Sequence, residues 1–210
     1  MTSMPANPEL LDKLRDLMQR HCFQYGDFTL TSGGKSKFYY NGKLVTLRPS
    51  GAALIGEALI DVVLASGAEA VGGPALGAVP IAMAVGAASL TRGRDLPVFV
   101  VRMEQKTHGA RDLIAEPYSD DANAVMSSGR RVAIVEDTIT TGGSVLKAVD
   151  AIRAAGCEVA LIAVLVERHE GGADALREQG LDVVSLFRAD EEGQLSVNPA
   201  FLERYAAATA

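Results

Sequence analysis

The sequence is poor in cysteine, with only Cys22 and Cys157 among its 210 residues. Two thiols cannot build a disulfide framework, and neither lies in a CxxC pair or a Cys/His cluster with metal-ligand spacing. Both therefore read as reduced thiols of a cytosolic protein. Positive charge is also scarce: 20 Lys and Arg stand against 26 Asp and Glu, a net charge of −6. Without a long basic run the chain is not expected to wrap a nucleic-acid duplex, so any anion it binds must be held by a local site. The longest apolar run, Ala78 to Leu90, is too short to span a bilayer. The segment MTSMPANPELLDK places Pro and acidic residues where a secretory signal needs an apolar stretch. The expectation is a cytoplasmic protein with no membrane or nucleic-acid partner. Neither GxGxxG nor GxxxxGKS/T occurs, which argues against a dinucleotide fold and a P-loop.

What is present is enough apolar residue, 48% against 22% charged, to bury one sizeable core. No repeat, low-complexity tract or linker divides the chain, so a single domain over 1–210 is expected. Leu10, Leu11, Leu14 and Met18 recur at helical spacing behind Pro8, marking an N-terminal helix. Gly26 to Asn41 then reads as a loop leading into a short strand. From Ser50 onward, helical and apolar stretches alternate: helix 50–66, strand 69–72, helix 78–90, strands 98–101 and 132–135, helix 143–155, strand 158–166, helix 172–179, strand 181–187. Fully apolar strands such as Val132 to Val135 and Val159 to Val166 suit a mostly parallel central sheet flanked by helices, an α/β fold. Ligands of such sheets bind beyond the carboxyl ends of the strands. Met103 to Arg131 breaks this rhythm with Lys106, His108, Gly109, Arg111 and Asp112, and reads as a protruding flexible loop or hairpin.

The strongest chemical signal is the run VAIVEDTITTGGS, Val132 to Ser144. A buried strand carries two adjacent acids, Glu136 and Asp137, into a turn of small residues, Thr138, Ile139, Thr140, Thr141, Gly142, Gly143 and Ser144, and then into a helix. Backbone N–H groups and hydroxyls at the positive end of a helix dipole make a cradle for a phosphate monoester. Two carboxylates beside it suit the vicinal hydroxyls of a ribose.

This run resembles the signature of the phosphoribosyltransferases that use phosphoribosyl pyrophosphate (PRPP), apart from Thr138, where many relatives carry an aliphatic residue. Three further segments resemble the orotate phosphoribosyltransferases, in order and over nearly the whole chain. They are Phe28 to Asn41, which looks like an orotate-binding segment, Gly73 to Pro80, which looks like a pyrophosphate loop, and Val101 to Gly109, which looks like a mobile catalytic loop. The resemblance implies the type I phosphoribosyltransferase fold, with a small base-binding hood over about 1–45 and a mobile loop over about 103–128. It implies transfer of the phosphoribosyl group from PRPP to orotate in pyrimidine biosynthesis. Mg²⁺ would be the cofactor, held mainly by PRPP and water rather than by protein ligands, and a homodimer with shared active sites would be the working unit.

Carried over residue by residue, the resemblance assigns Glu136 and Asp137 to the ribose hydroxyls and Thr138 to Ser144 to the 5′-phosphate. Arg102, Lys106 and His108 fall on loop positions that contact the pyrophosphate from the neighbouring subunit, with Lys106, His108 and Asp137 the catalytic group. Orotate would meet Tyr39, Tyr40, Thr140 and Arg168. Arg168 makes independent sense, since it follows an apolar strand and its guanidinium can pair bidentately with a carboxylate.

Singly, Lys106, Arg102 and His108 also read as solvated loop residues, Arg168 as a salt-bridged arginine, and the two tyrosines as strand core. The chain departs from the resemblance at Thr31, Gly77 and Met103, where many relatives carry lysines, and Lys35, Lys37 or Lys43 could supply other cations. Two rival functions stay open: a phosphoribosyltransferase for another nucleobase, and a non-catalytic regulator that senses PRPP on the same fold.

Overall fold

The computed structural model describes residues 8–29, 35–104, 113–116, 125–168 and 170–209. Its centre is a seven-stranded sheet in the order β5-β4-β3-β6-β7-β8-β9. The inner strands are β4 (Val98–Val101), β3 (Ala70–Pro74), β6 (Arg131–Ile139), β7 (Glu158–Arg168) and β8 (Val183–Ala189), and each pairs in parallel with its neighbour. The two edges, β5 (Ile114–Ala115) and β9 (Leu195–Val197), run antiparallel.

Helices cover both faces because the inner strands are apolar on both. Along β6, Ala133 and Val135 join one core while Val132 and Ile134 join the other, as the two-residue period of a strand requires. The first core takes its helical half from α1 (Pro8–Cys22), α3 (Pro49–Ala65), α4 (Ala78–Ser89) and α7 (Pro199–Thr209). The second takes it from α5 (Gly143–Ala154) and α6 (Gly172–Glu178). Helix α3 packs so closely on α4 that a Cβ at Gly56 would fall 2.5 Å from the Ala84 carbonyl oxygen. Arg92, in the turn after α4, joins these helices further by binding both Glu57 and Asp61 of α3, at 2.7 and 2.8 Å.

The N-terminal region differs from its sequence reading. The segment expected to be a loop before one strand is a hairpin, β1 (Phe23–Thr29) against β2 (Lys35–Tyr40), followed by a single helical turn α2 (Lys43–Thr46). Strand β1 carries Gly26 and Asp27 and lacks a clean apolar alternation, so its existence depends on pairing with β2. Beyond Ala189, β9 and α7 were not anticipated either. Phe201 and Tyr205 anchor α7 in the core. The long irregular segment after β4 begins as a hairpin, Val101 pairing with Ile114.

Candidate active site

Strand β6 extends to Ile139, so both acids lie within the strand rather than after it. Their freedom comes from the neighbouring strand: β3 pairs with β6 only as far as Gly72, opposite Ile134, and turns away after Pro74. One edge of Glu136 and Asp137 is thereby left to the loop Ala75-Leu76-Gly77, whose Ala75–Leu76 peptide is cis. That loop is tied to the end of β4 by the Ala75 N–H donating to the Val101 carbonyl, 2.8 Å.

The loop comes very close to the acids. A Cβ at Gly77 would stand 2.8 Å from Asp137 Oδ1 and 2.9 Å from Glu136 Oε1. Gly77 has φ −59° and ψ −42°, open to any residue, so space rather than conformation demands glycine here. This gives a structural reason for one departure from the resemblance. Gly42 approaches from the hood in the same way, its virtual Cβ lying 3.2 Å from Asp137 Oδ2.

Glu136 is buried, and its Oε1 accepts a hydrogen bond from the Asp137 N–H at 3.0 Å. Burial pushes its pKa up to about 9, with the Asp137 charge adding to the rise and Lys43 opposing it. The rise favours the protonated form of Glu136 beside Asp137.

After β6, Gly142 adopts φ +81° to cap α5. The turn Thr140 to Gly143 is braced from behind by α6: the Gly172 N–H donates to the Thr140 carbonyl at 3.0 Å, and a Cβ at Gly172 would lie 2.2 Å from that oxygen. The outer residues Thr141, Gly143 and Ser144 are exposed, and the first N–H groups of α5 have no helical acceptor. Thr138 Oγ1 is buried with no hydrogen-bond partner. An anion seated on this turn would satisfy several donors at once.

The hood closes the site from the other side. Tyr40 is core, its ring edge-on to Phe23 at 5.2 Å, and its hydroxyl donates to the Asp137 carbonyl at 3.4 Å. Burial, helped by Cys22, Asp137 and Glu136, raises the Tyr40 pKa well above the ordinary phenol value, so the hydroxyl keeps its proton. Tyr39 points outward, 46% exposed, 5.8 Å from the Phe28 ring. The alternation also puts Phe38 on the inner face, where the sequence reading gave it no role. It carries the Arg168 guanidinium at 4.7 Å from its centroid.

Arg168 ends β7, and since Glu167 pairs with Ile139, Arg168 lies level with Thr140. Its Nη2 stands 3.2 Å from Glu170 Oε1, a second residue the sequence reading missed. The structure therefore brings Glu136, Asp137, the turn Thr138 to Ser144, Tyr40 and Arg168 to one end of the sheet. Tyr39 is on that hairpin but faces away from Tyr40. Arg102 follows β4 beside the Ala75 loop, its N–H donating to the Leu113 carbonyl at 2.7 Å. Lys106, His108 and Thr31 lie outside the described residues, as do 105–112 and 117–124 of the expected mobile loop. Among the described residues no three His, Cys, Asp or Glu side chains group as a metal centre. The acid pair offers hard oxygen donors, which suits a Mg²⁺ ion that brings most of its ligands with it.

The fold thus gathers a carboxyl pair on a parallel strand, a small-residue turn at a helix N-terminus and an arginine on the next strand at one end of the sheet. The family model for the phosphoribosyl transferase domain matches residues 49–185. The chain belongs to the phosphoribosyltransferase family, a class of glycosyltransferases. Orotate phosphoribosyltransferase of Rhodopirellula baltica is 41% identical over 192 residues, 89% of this chain and 95% of that one. The crystal structure of the Mycobacterium tuberculosis orotate phosphoribosyltransferase in complex with Fe(III) dicitrate superposes with a TM-score of 0.72 and 34% identity, covering 92% of this chain and 98% of that one. The same enzyme's complex with PRPP gives a TM-score of 0.68 at 30% identity, over 90% of this chain and 94% of the other. Within the family the chain belongs with the orotate phosphoribosyltransferases, enzymes that place a phosphoribosyl group on orotate.

Proposed function

We propose that this site moves the phosphoribosyl group of PRPP onto orotate, releasing pyrophosphate and forming orotidine 5′-monophosphate, with Mg²⁺ as cofactor. One observation carries the residue assignment: the Glu136 and Asp137 carboxyl groups converge on the Gly77 loop and lead directly into the turn that opens α5. The ribose hydroxyls donate to the acid pair, and the 5′-phosphate takes the N–H groups and hydroxyls of Thr138 to Ser144. The pyrophosphate then lies toward Ala75 to Gly77 and Arg102.

No enzyme nucleophile is required. As the bond from C1 to pyrophosphate lengthens, positive charge develops on the ribose above the acid pair and negative charge on the leaving group. When bound, Mg²⁺, held mainly by PRPP oxygens and water, neutralises part of that negative charge. Arg102, Lys106 and His108 stabilise the rest, more in the transition state than in the ground state. The orotate carboxylate pairs with Arg168, while the base lies against the Tyr39–Tyr40 backbone and Thr140.

Lys106 and His108 act from a second copy of the chain in this reading. A run of exposed apolar side chains supports a homodimer: Leu76 on the pyrophosphate loop, Met83 on α4 and Leu90 after it, beside a groove of about 490 Å³ that Leu96, Pro97 and Val98 also line. A second copy seated there reaches the site because α4 begins at it. Two free, buried cysteines are consistent with a cytosolic location, and among the described residues no helix is long and apolar enough to cross a membrane.

The deciding experiment supplies PRPP and Mg²⁺ with orotate, uracil, adenine or hypoxanthine. Orotate alone is consumed. Turnover of another base without orotate overturns the substrate assignment, and PRPP binding without any turnover points to a regulator.

A further inference from the structure

Arg168 is held at its guanidinium and at its backbone. Its guanidinium stacks on Phe38 at 4.7 Å, and Phe38 is fixed by the Phe23 ring at 5.4 Å and by the turn before β9, where a Cβ at Gly193 would fall 2.9 Å from the Phe38 ring. Its backbone ends β7 in register with Ala189. The side chain is 12% exposed.

Glu170 is held differently. It follows the last strand residue by two positions, and its N–H donates to the Arg168 carbonyl at 2.7 Å, which folds the chain back and presents its carboxylate to Nη2 at 3.2 Å. Its side chain is 31% exposed and lies outside strand and helix. Of the two partners, therefore, only the carboxylate can leave the pair and reach water without dismantling packed side chains.

We infer that Glu170 is a built-in competitor for the orotate carboxylate: it occupies the Arg168 guanidinium in the empty site and swings out to water when orotate arrives. The inference rests on the reading that Arg168 receives that carboxylate. The exchange replaces one carboxylate on the guanidinium by another, so the charge balance of this nearly buried position is kept. It also sets a selectivity rule. A base that lacks a carboxylate offers nothing to exchange for Glu170 and would bind against the ion pair. Glu170 is thus a positioning residue, acting on the base only through Arg168.

The test compares Glu170→Gln, Arg168→Met and the double variant in the complete enzyme with PRPP and Mg²⁺. Gln keeps the shape and loses the charge. In Glu170→Gln the KM for orotate falls about fivefold, the size expected for one partly exposed ion pair, while the KM for PRPP stays put. In the Arg168→Met background the same substitution changes neither constant, which a general effect on loop structure would not reproduce. An unchanged or raised orotate KM in Glu170→Gln overturns the competitor role while Arg168→Met still impairs orotate selectively. An Arg168→Met enzyme with a normal orotate KM overturns the base-site reading itself, and the inference with it.

Discussion

Replacing Gly77 by alanine adds one methyl group at the point where the Ala75-Leu76-Gly77 loop meets the acid pair. The added carbon would stand 2.8 Å from Asp137 Oδ1, against the 3.4 Å at which ordinary contact begins, so that oxygen must retreat by roughly 0.6 Å. Glu136 Oε1, 2.9 Å away, must yield similarly. Both atoms are ends of side chains, which move by small rotations costing about 0.5–1.5 kcal/mol. The backbone angles at Gly77 already suit alanine, which returns about 0.4–1 kcal/mol by restricting the unfolded chain. Stability should therefore change by less than about 1 kcal/mol. Activity should not escape so lightly, because displacing binding groups by a sizeable fraction of an ångström costs on the order of 10²-fold, or about 2.7 kcal/mol of transition-state stabilisation. Gly72→Ala is the contrast: its methyl would meet the Phe99 carbonyl oxygen at 2.2 Å and the Phe99 ring at 2.6 Å, forcing β3 and β4 apart at a cost of about 1–3 kcal/mol or more. The assays are urea unfolding and kcat/KM on each variant. Wild-type kcat/KM in Gly77→Ala, or a stability loss equal to that of Gly72→Ala, would refute the account of the acid pair's surroundings.

Glu136→Gln tests the buried acid. Because burial and Asp137 raise its pKa to about 9, the folded protein keeps a proton that the unfolded chain has lost above the ordinary value of 4.5, so its contribution to stability declines as pH rises through that window. The variant should lose activity yet gain in Tm relative to the parent between pH 5 and pH 9, and a pH-independent difference sinks the assignment. Shared sites are tested by co-refolding equal amounts of Lys106→Ala and Asp137→Asn. With random exchange about half the dimers are hybrids carrying one intact site in two, so activity returns to roughly one quarter of the parent. No recovery despite verified exchange would place the loop in its own subunit's site.

What the sequence determined alone is local. The run from Val132 to Ser144 spells out strand, acid pair, turn and helix because each depends on neighbours a few residues away: unbroken apolar side chains from Val132 to Val135, glycine where φ must be positive, and small residues where N–H groups must stay uncovered. The alternation of apolar strands and helices likewise required only their own periodicity, and the parallel inner sheet followed from it. Segments whose stability is borrowed could not be read this way. Strand β1 exists through its pairing with β2, β9 through β8, and α7 through the burial of Phe201 and Tyr205. The same division holds in the site. Glu136 and Asp137 were legible as acids, but the raised pKa of Glu136 depends on its burial, and the Gly77 loop that comes within 2.9 Å of its Oε1 lies far away in the chain. Arg168 was legible at the end of an apolar strand. That its guanidinium rests on Phe38 was decided only when the β1–β2 hairpin packed against the end of β7, because a cation's partners are set by distance in space and not by spacing along the chain.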